Sequence, residues 1–292
     1  MSKGSALIDF TSAALEQRPL DVHWIHGSPS AKHNTDPDIQ VHAYDEHSYI
    51  LRQNKSVHYE APFLFLLFGN ERAVLVDTGA TDSPEWFPLR QAVDGLIDDW
   101  LARTPRQDYA LLVLHSHAHG DHVAGDAQFA GRPDTMVVPA DLTDAWPFFG
   151  FDRDPEGIAR IDLGGRIVEC LATPGHHETA VTYHDDYTGW LLTGDTLYPG
   201  RLYVDDWPAF TRTAERLVDF AAARRVTHVL GCHIEMTREP GVDYPVRTTY
   251  QPDEAPLPLT TDHLRQVLEA TKDLNDRPGR HAYRDFIICR DA

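Results

Sequence analysis

An α/β fold is the class this sequence predicts, and three observations predict it. Apolar runs of strand length recur along the chain. Stretches with the three-and-four spacing of a buried helix face lie between them, and the polar residues able to carry chemistry fall just after the strand-like runs. The chain has 292 residues, of which 42% are hydrophobic and 10% aromatic, so a sizeable core is affordable and general disorder is not expected.

The first sixty residues carry the weakest pattern. Gly27 to Asp38, with Pro29, Asn34 and Pro37, reads as an exposed loop, and Ile39 to Leu51 as a region containing a strand. Phe63–Phe68 and Ala73–Val76 flank Gly69-Asn70, the signature of a β-hairpin. A helix is expected from Ser83-Pro84, burying Trp86, Leu89, Val93, Leu96, Ile97, Trp100 and Leu101. Strand-like runs follow at Ala110–Leu114, Thr135–Val138, Ile167–Ala172 and Trp190–Leu192. A second helix is expected from Asp206, with Phe210, Ala214, Leu217, Val218 and Ala221 on one side, then a strand at Val226–Leu230. Thr237 to Leu259 contains five prolines and reads as an ordered excursion over the surface or a flexible cover. A last helix begins near Thr261-Asp262, and Phe286 to Cys289 suggests a terminal strand. No repeat or linker divides the sequence, so one domain over residues 1–292 is expected, with a motif-bearing core at about 63–233 and a C-terminal cover and helix at about 237–292.

The formal charge of −19, from 45 acidic and 26 basic residues, opposes binding to phosphate backbones, so nucleic acid is not an expected partner. No apolar run reaches 18 residues, and Met1 to Phe10 lacks the apolar stretch and cleavage pattern of a secretory leader, so no membrane association is expected. Three widely spaced cysteines, Cys170, Cys232 and Cys289, suit reduced thiols in a cytoplasm better than a disulfide framework. Oligomeric state is not legible.

The 17 histidines are the outlier of the composition. His115-Ser-His117-Ala-His119-Gly-Asp121-His122 directly follows the run Ala110–Leu114, placing four candidate ligands, His117, His119, Asp121 and His122, within six positions. Residues two apart on extended backbone project the same way, so His117 and His119 can hold one ion together. Gly120 is expected to permit a sharp turn that sends Asp121 and His122 toward a second point at the start of a helix. Imidazole and carboxylate suit zinc and similar divalent ions. A histidine-rich turn that binds nothing is the plain alternative. Against it, His176 in Thr-Pro-Gly-His, Asp195 in Thr-Gly-Asp and His233 in Gly-Cys-His each follow a predicted strand, as does Asp77 in Val-Asp-Thr-Gly. Strand ends line one rim of an α/β sheet, so these groups are expected to converge. Asp195 fits the role of an aspartate shared by two ions.

This ordered set resembles the metallo-β-lactamase superfamily over roughly Phe63 to His233. The resemblance implies an αββα sandwich, two mixed β-sheets face to face with helices outside. It also implies that His117, His119 and His176 hold one metal, that Asp121, His122 and His233 hold a second, and that Asp195 bridges them. Asp77 would orient ligands, and His115 would support the site from behind. One departure is His177, where relatives usually show Thr or Ser after the ligand; it leaves His177 as a competing ligand or a substrate contact.

Two divalent ions, zinc first and manganese or iron as alternatives, would lower the pKa of a shared water and supply hydroxide, so a Ser or Cys nucleophile is not required. Asp121 is the expected proton shuttle. Cys232 is expected to be a buried thiol pointing away from the metals. Asp141 to Phe151 and Arg201 to Trp207 are expected to supply pocket loops, with Arg201 as a carboxylate anchor and Tyr203 and Trp207 beside it. The bridging aspartate turns the reading away from antibiotic hydrolysis, the short proline-broken tail from glutathione thioester hydrolases with a basic helical domain, and the charge from RNA processing. A small-molecule ester, thioester or lactone remains the expected substrate. The alternatives within the same superfamily are a mononuclear iron persulfide-type oxygenase and a phosphodiester hydrolase.

Overall fold

The computed structural model describes residues 6–11 and 17–290; the reading of Met1 to Phe10 as free of a leader falls partly outside them. Fourteen strands form three sheets among the described residues. The first sheet runs in chain order: β1 (Ile39–Ala43), β2 (Ser48–Gln53), β3 (Phe63–Phe68), β4 (Arg72–Val76), β5 (Ala110–Leu114) and β6 (Thr135–Val137). Its first four strands pair antiparallel, and β4, β5 and β6 pair parallel. Ile39 to Leu51 therefore holds two strands rather than one, turned back at residues 44–47.

The second sheet has the order β12, β10, β9, β8, β7, from β7 (Ile158–Asp162), β8 (Ile167–Ala172), β9 (Val181–Asp185), β10 (Trp190–Gly194) and β12 (His228–Gly231). A third, three-stranded sheet joins β11 (Arg201–Tyr203) to β14 (Ile287–Arg290) and β13 (Gly279–Ala282). The resemblance implied only two sheets. The extra one forms because the terminal strand pairs in parallel with β11.

Alternation along the strands sets the layers. Phe63, Phe65 and Leu67 of β3 pack in one core with Val168, Cys170, Tyr183, Trp190 and Leu192 of the second sheet. The alternate residues Leu64, Leu66 and Phe68 face α1 (Leu89–Arg103) through Leu89, Val93, Ile97 and Trp100. On the other side, Leu171, Leu191 and Val229 face α4 (Trp207–Ala222) and α5 (Thr261–Leu274). The order is thus helix, sheet, sheet, helix. Each large apolar side chain buried this way contributes about 1.5–3 kcal/mol relative to exposure.

Helix α1 begins six residues later than Ser83 suggests. Ser83 O accepts from Trp86 N and Phe87 N in a turn, and Pro88, which disfavours helical backbone at the residue before it, delays the start to Leu89. Trp86 is consequently 60% exposed instead of buried. Residues 141–151 are not a pocket loop. Asp141 caps α3 (Leu142–Phe149) by accepting from Thr143 N and Asp144 N, and Trp146, Phe149 and Phe151 pack against the core between the sheets. The proline-rich stretch after His233 is an ordered excursion, fastened by bridges at Met236–Asp243 and Thr237–Glu254. No described helix is long and apolar enough to cross a membrane.

Candidate metal centre

β5 ends at Leu114, and the chain runs on through His117 to His119, whose extended backbone (φ −66°, ψ 150°) precedes the short helix α2 (Gly120–Val123). The direction change is made by that helical turn. Gly120 is not in the left-handed region, and a Cβ there would meet nothing within 4 Å, so the freedom of glycine expected at this point is not what the turn uses. His176 arrives on the loop after β8. Gly175 before it has φ +141° and lies against Phe210 of α4, where a Cβ would stand 2.4 Å from Phe210 Cα. Asp195 follows β10, and His233 follows β12.

Three imidazoles meet first. His117 Nε2 lies 2.9 Å from His119 Nδ1, and His176 Nε2 lies 3.3 Å and 3.2 Å from those two atoms. A tetrahedral ion with nitrogens at about 2.0–2.1 Å spaces them about 3.3 Å apart. Beside this trio, Asp121 Oδ2 is 3.3 Å from both His122 Nε2 and His233 Nε2, which are 3.5 Å from each other. Asp195 faces both groups: Oδ1 is 3.4 Å from His233 Nε2 and 3.7 Å from His122 Nε2, while Oδ2 is 3.8 Å from His176 Nε2. Asp195 Oδ1 is buried with no hydrogen-bond partner, an orphaned lone pair aimed among nitrogen donors. The donor set and that orphan fit a divalent metal site.

The far nitrogens are fastened, which fixes ring orientation. His122 Nδ1 is 2.9 Å from Asp77 Oδ2, His176 Nδ1 donates to Tyr203 O at 2.8 Å, His233 Nδ1 to Glu60 O at 3.1 Å, and His117 Nδ1 is 3.1 Å from Ser116 Oγ. Asp77 also accepts from Ser116 N (2.6 Å) and Ser116 Oγ (2.8 Å) while holding φ at +68°. That conformation costs a non-glycine residue energy and points to a backbone held by its surroundings.

The two groups differ in charge. Burial, with His122 beside it, pushes His117 well below the ordinary imidazole range, and burial lowers His119 as well, so both keep lone pairs free. Burial also opposes charge on His122 and His233. There, however, carboxylates win: Asp121, Asp77 and Asp195 raise His122, and Asp195 and Asp121 raise His233 to about 9. Asp195 and Asp121 are themselves held far below the usual carboxylate range by His233 and His122, against the cost of burial. The same carboxylates that favour positive charge at His122 and His233 would favour a dication there.

Several expectations need correction. Cys232 is buried, and its thiol donates to Asp77 Oδ2 at 3.3 Å, the carboxylate that holds the Nδ1 side of His122. Arg201 is no free anchor. Its guanidinium is bound by Glu235, by Asp243 at 2.8 Å and by Tyr244 O at 2.7 Å. Trp207 is 5% exposed and packs in the core beneath α4 rather than in the cavity. His115 contacts Val138 O (3.0 Å) and Asp126 (2.8 Å) rather than a ligand, pinning the strand end. His177 lies next to His119, with ring centroids 4.7 Å apart, but its Nδ1 engages Thr179, and the converging donors are those of His176.

The centre opens into a cavity of about 310 Å³ whose lining includes Asp121, Asp195, His119, His176, His233, Tyr198, Arg201 and Tyr203. Asp205, in the expected loop 201–207, also lines it, as do Tyr59, Glu60, Glu235 and Val246, which nothing in their local sequence marks. A separate group, Glu169, His184 and Asp186, already holds cations, since Glu169 accepts from Arg224 (2.7 Å) and Arg160 (2.9 Å).

Comparison with known proteins gives a consistent picture. The family described as the metallo-beta-lactamase superfamily matches residues 61–227. Hydroxyacylglutathione hydrolase of Rhizobium meliloti (strain 1021) is 30% identical over 146 residues, 48% of this chain and 52% of that protein. Acyl-coenzyme A thioesterase MBLAC2 of Homo sapiens is 27% identical over 206 residues, 58% of this chain and 72% of that protein. The chain thus spans about half the length of the first of these relatives. Among solved structures, a metallo-beta-lactamase from Pontibacter korlensis superposes with TM-score 0.52 at 16% identity, over 80% of this chain and 99% of that one. One from Erythrobacter litoralis gives 0.53 at 17% identity, over 82% and 99%. At such identities the structural likeness speaks for the fold alone.

Proposed function

The chain belongs to the metallo-beta-lactamase superfamily, and from that premise we propose that it is a metal-dependent hydrolase of small thioesters, with esters as the chemically nearest alternative. The observation that carries the reading is the pair of donor groups sharing Asp195, whose buried Oδ1 has no other partner, at the floor of a cavity. The names of the two relatives support a thioester over a lactone.

His117, His119 and His176 would hold one divalent ion, and Asp121, His122 and His233 the other, with Asp195 between them; zinc is the first choice for this nitrogen-rich set. When bound, two such ions bring the pKa of a shared water toward neutrality and polarise a carbonyl. The remaining work falls to the chain. Asp77, Glu60 O and Tyr203 O hold His122, His233 and His176 in the tautomer that presents Nε2 to the cavity. Asp121, with Oδ2 turned to His122 and His233, has Oδ1 left to take a proton from the nucleophile and return it to the departing thiolate. Cys232 takes no part, because burial and the Asp77 carboxylate keep its thiol protonated.

The test is metal analysis followed by assay on thioester, ester and lactone panels, before and after chelation. We expect close to two divalent ions per chain and thioester cleavage that disappears with chelator and returns with zinc. His176→Ala should empty one metal position and abolish turnover, whereas His177→Ala should keep its metal. One iron per chain with oxygen consumption, or full metal loss from His177→Ala alone, would contradict the reading.

A further inference from the structure

The cavity around the centre is strongly acidic beyond the metal ligands themselves. Glu60, Asp205 and Glu235 line it, and of the described lysines and arginines only Arg201 does so. That guanidinium is held by Glu235 on one side and on the other by Asp243, which Arg280 also engages. Lys55, behind Tyr59, is buried; its ammonium donates to Tyr59 O at 3.1 Å and lies 4.0 Å from Glu254. Arg247, next to the lining residue Val246, is exposed and is not itself part of the lining. Asp205 is exposed, and among the described residues its carboxylate has no hydrogen bond or ion pair.

We propose that this cavity selects substrates carrying positive charge on the group beyond the scissile bond, an ammonium or quaternary amine, and disfavours anionic carriers. The proposal rests on the hydrolase reading for its chemistry but not for its electrostatics. The two dications would sit on the floor beside Asp121 and Asp195, whereas a substrate group extending outward meets Glu60 and Asp205, and the arginine of the lining is held by Glu235 and Asp243. Tyr203, 42% exposed, and Tyr59, whose ring stacks on His58, bring to the lining aromatic rings of the kind that attract cations. A net charge of −19 adds a field that draws cations in and turns anions away, most strongly at low salt. Glutathione and coenzyme A are anionic, so this chain would differ in carrier from relatives whose names specify them.

Binding and turnover are measured separately on zinc-loaded protein. Calorimetry compares three thiols, thiocholine (cationic), 2-mercaptoethanol (neutral) and 3-mercaptopropionate (anionic), corrected for thiol ionisation. Their acetyl thioesters are assayed in parallel, each rate divided by its rate with free hydroxide. Thiocholine is expected to bind at least about tenfold tighter than 3-mercaptopropionate at low salt. The gap should shrink as salt rises from about 0.01 M to about 1 M, because the screening length falls from about 30 Å to about 3 Å. The double variant Glu60→Gln/Asp205→Asn should collapse the gap while zinc content holds. Equal or tighter binding of 3-mercaptopropionate, or a gap indifferent to salt and to the double variant, overturns the proposal. Binding in the expected order with no thioester cleaved overturns the hydrolase reading and leaves the charge selection standing. Cleavage with the order reversed does the opposite.

Discussion

Asp195 offers one oxygen to each group of donors, and in the proposed centre its charge would let two cations sit close together. Replacing it with Asn keeps the shape and one good oxygen but removes the negative charge, so the ions repel with less compensation. Asp195→Asn should therefore fold normally, hold one ion weakly and lose at least about a hundredfold in turnover, equivalent to roughly 2.7 kcal/mol of barrier. Metal content, circular dichroism and thioester hydrolysis, measured side by side, check this; unchanged turnover would show that the carboxylate does not bridge. The converging groups were legible in the sequence because each lies on the segment that follows a strand, a position that local pattern reveals. Arg201 was misread for the complementary reason. It looks like an unattached loop arginine until the chain returns, 34 and 42 residues later, with Glu235 and Asp243.

At the scale of elements, Arg201 ties the proline-rich excursion to the wall of the cavity. Besides those carboxylates it holds Tyr244 O, and Glu235 accepts in turn from Arg201 N at 2.7 Å. Arg201→Met should free residues 237–259 to exchange and be cut faster, and should raise KM more than it lowers kcat, while both metals stay bound. Hydrogen exchange over that stretch is the direct measurement, and an unchanged pattern would mean the prolines and bridges alone hold it. The hairpin of β3 and β4, the second helix and the last helix followed from local signals: a Gly-Asn turn, the Asp206 cap and the spacing after Thr260. The third sheet did not. β11 has three residues and β13 reads Gly-Arg-His-Ala, so neither carries an apolar alternation, and both exist through pairing with β14.

For the whole molecule, the two large sheets are joined by apolar packing and also by a buried ion pair. Arg166, just before β8, binds Asp185 of β9 through two contacts of 2.8 Å and 2.7 Å. The same guanidinium reaches the first sheet at His47 O, Phe68 O and Ser48 Oγ. Breaking such a pair strands a buried charge, so Asp185→Asn should cost about 3–5 kcal/mol of unfolding free energy, read from urea midpoints at constant metal. Burial opposes ionisation of Asp185, but Arg166 holds its carboxyl below the usual range. Its contribution is therefore present above the ordinary carboxylate pKa and is lost as pH falls through the lower folded value, a loss the variant should not show. A fall well under about 1 kcal/mol would assign the joining of the sheets to apolar packing alone. Sheets held in this way bring four strand ends to one rim, where the two proposed metals would sit. Anomalous diffraction from crystals of the zinc-loaded protein tests that placement most directly. Two peaks about 3.5–4 Å apart are expected, one among His117, His119 and His176 and one among Asp121, His122 and His233, with an Asp195 oxygen on each. A single peak, or a first site completed by His177 in place of His176, would contradict it.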